Sequence, residues 1–274
     1  MDNYKYLKAF YNDKLVGTLA KTPDRLVAFE YDNEWLATGF SISPFSLPLQ
    51  KKVYLPKFEP FEGLFGVFND SLPDGWGRLL VDRLLLKNNI NPSEIDNLNR
   101  LAVVQESGMG ALTYKPEHRF ETPQEESYYD KLAQECSKIL ESQSSDNLDE
   151  LFKLGGSSGG ARPKILTKIN GEDWIIKFPS SQDPKYIGEQ EYKYSLVAKD
   201  CGIKMSETKL FDSKIYSGYF GIKRFDRENG KKVHMVSVSG LLETSHRLPN
   251  LDYNILMKLT LELTKNYQDI EQLY

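Results

Sequence analysis

Between residues 154 and 191 the chain carries, in order, a glycine-rich turn, a lone lysine on a strand and a glutamate in a helical stripe. The stretch LGGSSGGARPKIL, residues 154–166, crowds four glycines and two serines ahead of a basic pair split by proline. Glycine lets backbone N–H groups approach an anion with no Cβ in the way, so the turn reads as a cradle for phosphate oxygens. The same composition also makes flexible linkers, and by itself it leaves both readings open.

The residues downstream favour the cradle. ILTKI (165–169), the turn Asn170-Gly171 and DWIIKFP (173–179) spell a hairpin. Strand alternation sends Trp174, Ile176 and Phe178 to one face and Ile175 and Lys177 to the other, placing a lysine beneath the glycine turn. A helix over about 186–200 then puts Ile187, Glu191, Tyr194 and Ala198 in one stripe expected to face the sheet. A carboxylate in that stripe needs a cation, and Lys177 lies fourteen residues earlier. Glycine loop, strand lysine and helix glutamate form the arrangement by which kinase-type folds hold ATP phosphates. Singly, Lys177 reads as a surface lysine and Glu191 as a solvated one; only their co-occurrence argues for a site. GIKRFDR (221–227) would supply the connection where an adenine rests, with Phe225 as a stacking surface, although RFDR also reads as a strand-end salt bridge.

These residues need a scaffold, and the sequence predicts an α+β one. Strands are expected at 4–11, 14–20 and 25–31, the first two joined at Asn12-Asp13. In FNDSLPDGWGRLLVDRLLLKNN, Asp74 is expected to cap a helix that turns Leu79, Leu80 and Leu84 inward and packs Trp76. Leu101–Val104 and Ala111–Tyr114 read as short strands around Gly108 and Gly110. A helix over 125–142 aligns Leu132, Cys136 and Ile139, and SQSSDN (142–147) breaks it. After the helix that ends at Gly202, strands near 207–212 and 215–225 complete a small antiparallel sheet, and a helix covers about 252–265.

Composition narrows the function classes. The 274 residues carry 35 Lys and Arg against 39 Asp and Glu, a net charge of −4, so the chain is poorly suited to gripping nucleic acid by itself. Cys136 and Cys201 stand in no metal-ligand spacing, and His118, His234 and His246 are scattered without an assigned role. No apolar run of membrane-spanning length and no signal-like N-terminus is read, which makes the cytoplasm the expected compartment.

Three stretches, FNDSLPDGWGRLL, GGSSGGARPKIL with IIKFP, and YFGIKRFDR, together resemble the HipA family of toxin serine/threonine protein kinases. The resemblance implies an N-terminal subdomain over 1–120, a kinase-like N-lobe over 121–226 and the beginning of a helical C-lobe over 227–274. It implies ATP and Mg²⁺ as cofactors. Ser157, Ser158, Gly159, Gly160 and Ala161 match the nucleotide loop, with Ser157 as the autophosphorylated serine and Ser158 as its competitor. Lys177 matches the nucleotide lysine and Glu191 its acidic partner, while Lys223 and Phe225 occupy hinge positions. Many relatives carry an acidic residue where this chain has Lys223, so hinge contacts there are expected from backbone. The implied partners are a HipB-like helix-turn-helix antitoxin, DNA only through that antitoxin, and a protein substrate, by family an aminoacyl-tRNA synthetase. The sequence departs from the family after the hinge: from Asn254 to Tyr274 the only aspartate is Asp269, and no segment matches the catalytic loop. The expectation is therefore a chain truncated before its catalytic residues, with an inactive binding module as the alternative function.

Overall fold

Alternating apolar residues at the N-terminus build the first sheet. In the computed structural model, which describes residues 3–103, 110–118, 128–156 and 158–274, β1 (Tyr6–Tyr11), β2 (Lys14–Lys21) and β3 (Val27–Tyr31) form an antiparallel meander. Asn12 and Asp13 both take positive φ, at 43° and 68°, as the tight turn between β1 and β2 requires. Leu7, Ala9, Val16, Leu19 and Phe29 fall on the buried face. The short β4 (Val53–Tyr54) extends one edge and β5 (Leu112–Lys115) the other, giving the order β4-β3-β2-β1-β5.

Four helices attach to this region: α1 (Asn33–Thr38), α2 (Gly66–Asn69), α3 (Gly75–Lys87) and α4 (Asn97–Val103). The segment expected as a strand at 101–104 is the end of α4 as far as it is described; Val104 lies outside the described residues. Leu98, Leu101 and Ala102 fall at i, i+3 and i+4, so a helix buries them on one side against the first core, where a strand would send neighbours to opposite faces.

The second sheet is assembled from β6 (Lys164–Ile169), β7 (Glu172–Lys177), β8 (Thr208–Phe211) and β9 (Tyr219–Lys223), in the antiparallel order β6-β7-β9-β8. Asn170 and Gly171, at φ 52° and 84°, close the β6–β7 hairpin as the sequence demands. One face packs against α5 (Tyr129–Leu140) and α6 (Leu148–Gly155), burying Leu132, Cys136, Ile139, Leu151, Ile165, Trp174, Ile176 and Phe178. The helix α6, not anticipated from the sequence, begins where SQSSDN ends and runs into the glycine stretch. Trp76 and Leu80 of α3 belong to this second core, so α3 joins the two sheets.

Behind the sheet lies α7 (Ile187–Asp200), and Gly202 past its end takes φ 85° in the left-handed region. A two-stranded ribbon of β10 (Arg227–Glu228) and β11 (Lys231–Lys232) follows, then α8 (Val238–Leu241), α9 (Tyr253–Thr264) and α10 (Tyr267–Leu273). Among the described residues no helix is long and apolar enough to cross a membrane.

Candidate nucleotide site

The register of the second sheet gathers the cations. Lys164 on β6 lies directly across from Lys177 on β7. Trp174, Ile176 and Phe178 are buried on one face, and Lys177 emerges on the other, as alternation requires. Its ammonium makes an ion pair with Glu191 of α7 and sits 5.2 Å from the centre of the Phe220 ring. Both charged side chains are about one-third exposed, so the pair is open to solvent rather than sealed in a core.

The stripe predicted for α7 is out of phase. Tyr194 is 66% exposed, and the helix meets the sheet through Gly188, Glu191 and Ser195. A Cβ on Gly188 would stand 2.3 Å from the carbonyl oxygen of Gly218, so the helix lies too close for a bulky contact there. Ser195 Oγ donates to Tyr192 O at 2.7 Å and shares a hydrogen bond with Thr208 Oγ1 at 2.9 Å, which fixes the rotation that aims Glu191 at Lys177.

Above the lysines, the glycine stretch leaves α6 and folds back on itself. Ser158 is fully buried, and its hydroxyl donates to Gly155 O at 2.6 Å. Ser157 lies outside the described residues. Gly160 takes φ 85°, a left-handed conformation that favours glycine, and a Cβ there would push aside the Lys164 ammonium, the end of a flexible side chain, at 2.8 Å. The Lys164 ammonium donates to the carbonyl oxygen of Gly159. Burial and the neighbouring charge of Lys177 lower the Lys164 pKa, with Asp74 and Glu191 opposing that shift. Ala161 is exposed beyond the turn.

Arg162 ties the far side of the loop. Its guanidinium donates twice to the Asp183 carboxylate, at 2.9 and 2.7 Å, and Asp183 also accepts from the Ser180 N–H and hydroxyl at 2.8 Å each. Arg162 holds the Asp183 pKa down to about 2 against the opposing effect of burial.

Sequence reasoning missed two members of this constellation, Lys164 and Asp74. Asp74 occupies the N-cap position of α3 as expected, but its carboxylate turns away from the amides of its own helix and accepts from the Gly160 N–H. The glycines beside it pack directly on the loop: a Cβ on Gly77 would lie 2.2 Å from Ser158 O, and one on Gly75 2.6 Å from Gly160 O. Of the expected inward leucines of α3, Leu80 and Leu84 are buried and Leu79 only half so.

The hinge residues stand apart from the lysine pair. Lys223 lies opposite Trp174, which directs its side chain to the face away from Lys177, and its ammonium pairs with Glu172. The Lys223 N–H donates to Glu207 O at 2.9 Å and the Arg224 N–H to Asp173 O at 2.8 Å. Phe225 is 71% exposed. Arg224 and Asp226 form a buried two-bonded pair at 2.8 and 2.7 Å, and Arg227 adds a third bond to Asp226 at 2.8 Å. A cavity of about 700 Å³ between β6 and the β1–β2 turn borders Arg224 and Arg227; Lys177 and the glycine loop are not part of its lining.

A loop with a positive-φ glycine, two lysines across one hairpin and a glutamate holding the outer lysine make a cationic patch chemically suited to an anion. Comparison with known families agrees with the three stretches singled out above: residues 7–115 match the HipA N-terminal domain and residues 156–274 the HipA-like C-terminal domain. The chain belongs to the HipA family. Its fold is similar to that of a solved chain from a Shewanella oneidensis MR-1 toxin–antitoxin complex of HipA, HipB and operator DNA, with a TM-score of 0.61 at 19% identity. That match covers 93% of this chain and 64% of the other.

Proposed function

We propose that the chain binds ATP–Mg²⁺ and serves as the nucleotide-binding part of a HipA-like serine/threonine protein kinase. The observation that carries the reading is the Lys177–Glu191 ion pair on the open face of the sheet beside a loop whose Gly160 takes φ 85°. Lys177 and Lys164 would hold phosphate oxygens, with Gly159 and Ala161 offering backbone around them, and Glu191 would keep Lys177 aimed. Among the described residues no three His, Cys, Asp or Glu side chains converge as a metal site. A magnesium ion delivered with the nucleotide would take most of its oxygen ligands from phosphates and water. When bound, ATP would supply the phosphoryl group; the chain's own residues bind it and fix its orientation.

On this reading Ser157 is the loop serine that receives phosphate, and the buried, hydrogen-bonded hydroxyl of Ser158 makes it the poorer acceptor in this conformation. The Shewanella complex supports a HipB-like antitoxin as partner, with DNA met through it. A protein substrate such as an aminoacyl-tRNA synthetase rests on the family resemblance alone. The hinge contribution of Lys223 and Phe225 would come from backbone and from the exposed phenyl ring.

One feature of residues 227–274 favours a second reading, in which this polypeptide binds nucleotide or antitoxin without transferring phosphate. Asp252 uses its carboxylate to cap α9, accepting from Ile255 N at 2.8 Å, and Asp269 sits in the first turn of α10. Titrating ATP–Mg²⁺ into the protein by calorimetry tests nucleotide binding, with saturable binding displaced by ADP expected; an absence of binding contradicts the first reading and leaves of the second only the antitoxin-binding form. Transfer of labelled γ-phosphate to Ser157 by this chain alone would rule out the second.

A further inference from the structure

Both polar backbone groups of Gly160 are held by the start of α3. Its N–H donates to the Asp74 carboxylate, and its carbonyl accepts from the Trp76 N–H at 3.0 Å. The relation runs both ways, since the loop carbonyl satisfies a first-turn amide of α3 that has no partner within the helix. Gly75, at φ 44°, and Gly77 leave no room for a Cβ between the helix and the loop backbone. Trp76, buried in the second core, anchors the arrangement. His246, in the segment before α9, approaches the outer oxygen of Asp74 at 3.9 Å.

We infer that Asp74 is a positioning residue for the phosphate-binding loop: it fixes the loop's φ-positive glycine so that the neighbouring amides and Lys164 are already set in place before a ligand arrives. The inference rests on the nucleotide reading proposed above. Asp74 touches no ligand in this account, and it acts through the conformation of residues 158–161. A loop anchored from a region more than eighty residues earlier keeps its shape without the entropy cost that a free glycine stretch incurs on binding. The expected ligand signature is selective, because phosphate-bearing nucleotides lose affinity when the anchor is cut whereas adenosine, which lacks phosphates, does not.

The test measures equilibrium affinity for ATP–Mg²⁺ and for adenosine in the intact protein and in the Asp74→Ala, Asp74→Asn and Lys177→Ala variants. Asp74→Ala is expected to weaken ATP about tenfold, the scale of one charge-assisted hydrogen bond, with adenosine unchanged. Asp74→Asn keeps an oxygen acceptor for the Gly160 N–H and is expected to restore most of the loss. Equal loss of ATP and adenosine in Asp74→Ala, or tighter ATP binding, overturns the inference. So does an unchanged ATP affinity while Lys177→Ala weakens it, and in that case the nucleotide reading survives. If Lys177→Ala also leaves ATP binding intact, the nucleotide reading itself fails. Should Asp74→Ala not fold, amide exchange decides: slow exchange at Gly160 in the unmodified protein that speeds up in Asp74→Glu supports the anchor, and equal rates contradict it.

Discussion

Lys177 and Glu191 belong to different elements, a strand and a helix, and meet in an ion pair on the open face of the second sheet. Neither residue is placed there by apolar packing. The strand delivers the lysine by alternation, and the small Gly188 and Ser195 set the rotation of the helix that delivers the glutamate. With both side chains partly exposed, the pair contributes little to stability, on the order of 1 kcal/mol or less. Its value lies in orientation.

Glu191→Gln is therefore expected to leave the melting temperature nearly unchanged and to weaken ATP binding several-fold, because Lys177 loses the charge that aims it. A variant that melts far lower while binding ATP normally would identify the glutamate as a structural residue.

The clamp between Arg162 and Asp183 predicts a dependence on acid. Arg162 depresses the folded-state pKa of Asp183 from the ordinary 3.8 to about 2. A depressed carboxylate contributes stability that is present above its unfolded value and lost as pH falls towards the folded one. Between pH 4 and 2 the protein should lose about 1–2 kcal/mol from this group, after allowing for the exposed Arg162 side chain. Urea unfolding across that range should show a shallower slope in Arg162→Ala, and identical slopes would show that the clamp does not operate.

Gly77→Ala should destabilise the protein even though alanine favours helix. The added Cβ would sit 2.2 Å from Ser158 O, and forcing that overlap costs roughly 1–3 kcal/mol against a propensity gain of at most about 1 kcal/mol. A lower denaturant midpoint is expected; a higher one would mean that α3 and the loop are not packed as described.

The buried Arg224–Asp226 pair braces the connection that follows β9. Asp226→Ala leaves Arg224 charged in a buried position and should cost about 3–5 kcal/mol, whereas Arg224→Met with Asp226→Leu should recover part of that, the rest being lost because Arg227 also pairs with Asp226. Equal stability of the single and double variants, measured by thermal unfolding, would argue against a desolvated pair.

Much of the site was legible because hairpin alternation and glycine chemistry are local. The Asn170-Gly171 turn fixes the register, and the register fixes the face of Lys177. The phase of α7 was harder to read. Its contact stripe is made of Gly188, Glu191 and Ser195, so hydrophobicity marks the wrong side and Tyr194 looks buried when it is not. Asp74 was legible as an N-cap residue but not as a loop anchor, since its partner lies 86 residues away and no local pattern encodes that contact. Lys164 reads as a basic residue after proline until pairing sets it opposite Lys177. The segment ending in α4 was misread because a short apolar run fits a buried strand or a buried helix equally well.

The central claim is that Lys177, beneath the glycine loop, holds the phosphates of a bound nucleotide. Calorimetric titration of ATP–Mg²⁺ into the unmodified protein and into Lys177→Ala, with melting curves on both, tests it most directly. The account predicts affinity weakened tenfold or more, the scale of a charge-assisted contact, with the melting temperature of the unliganded protein essentially unchanged. Equal ATP affinity in the two proteins, or loss of affinity matched by loss of the fold, would contradict it.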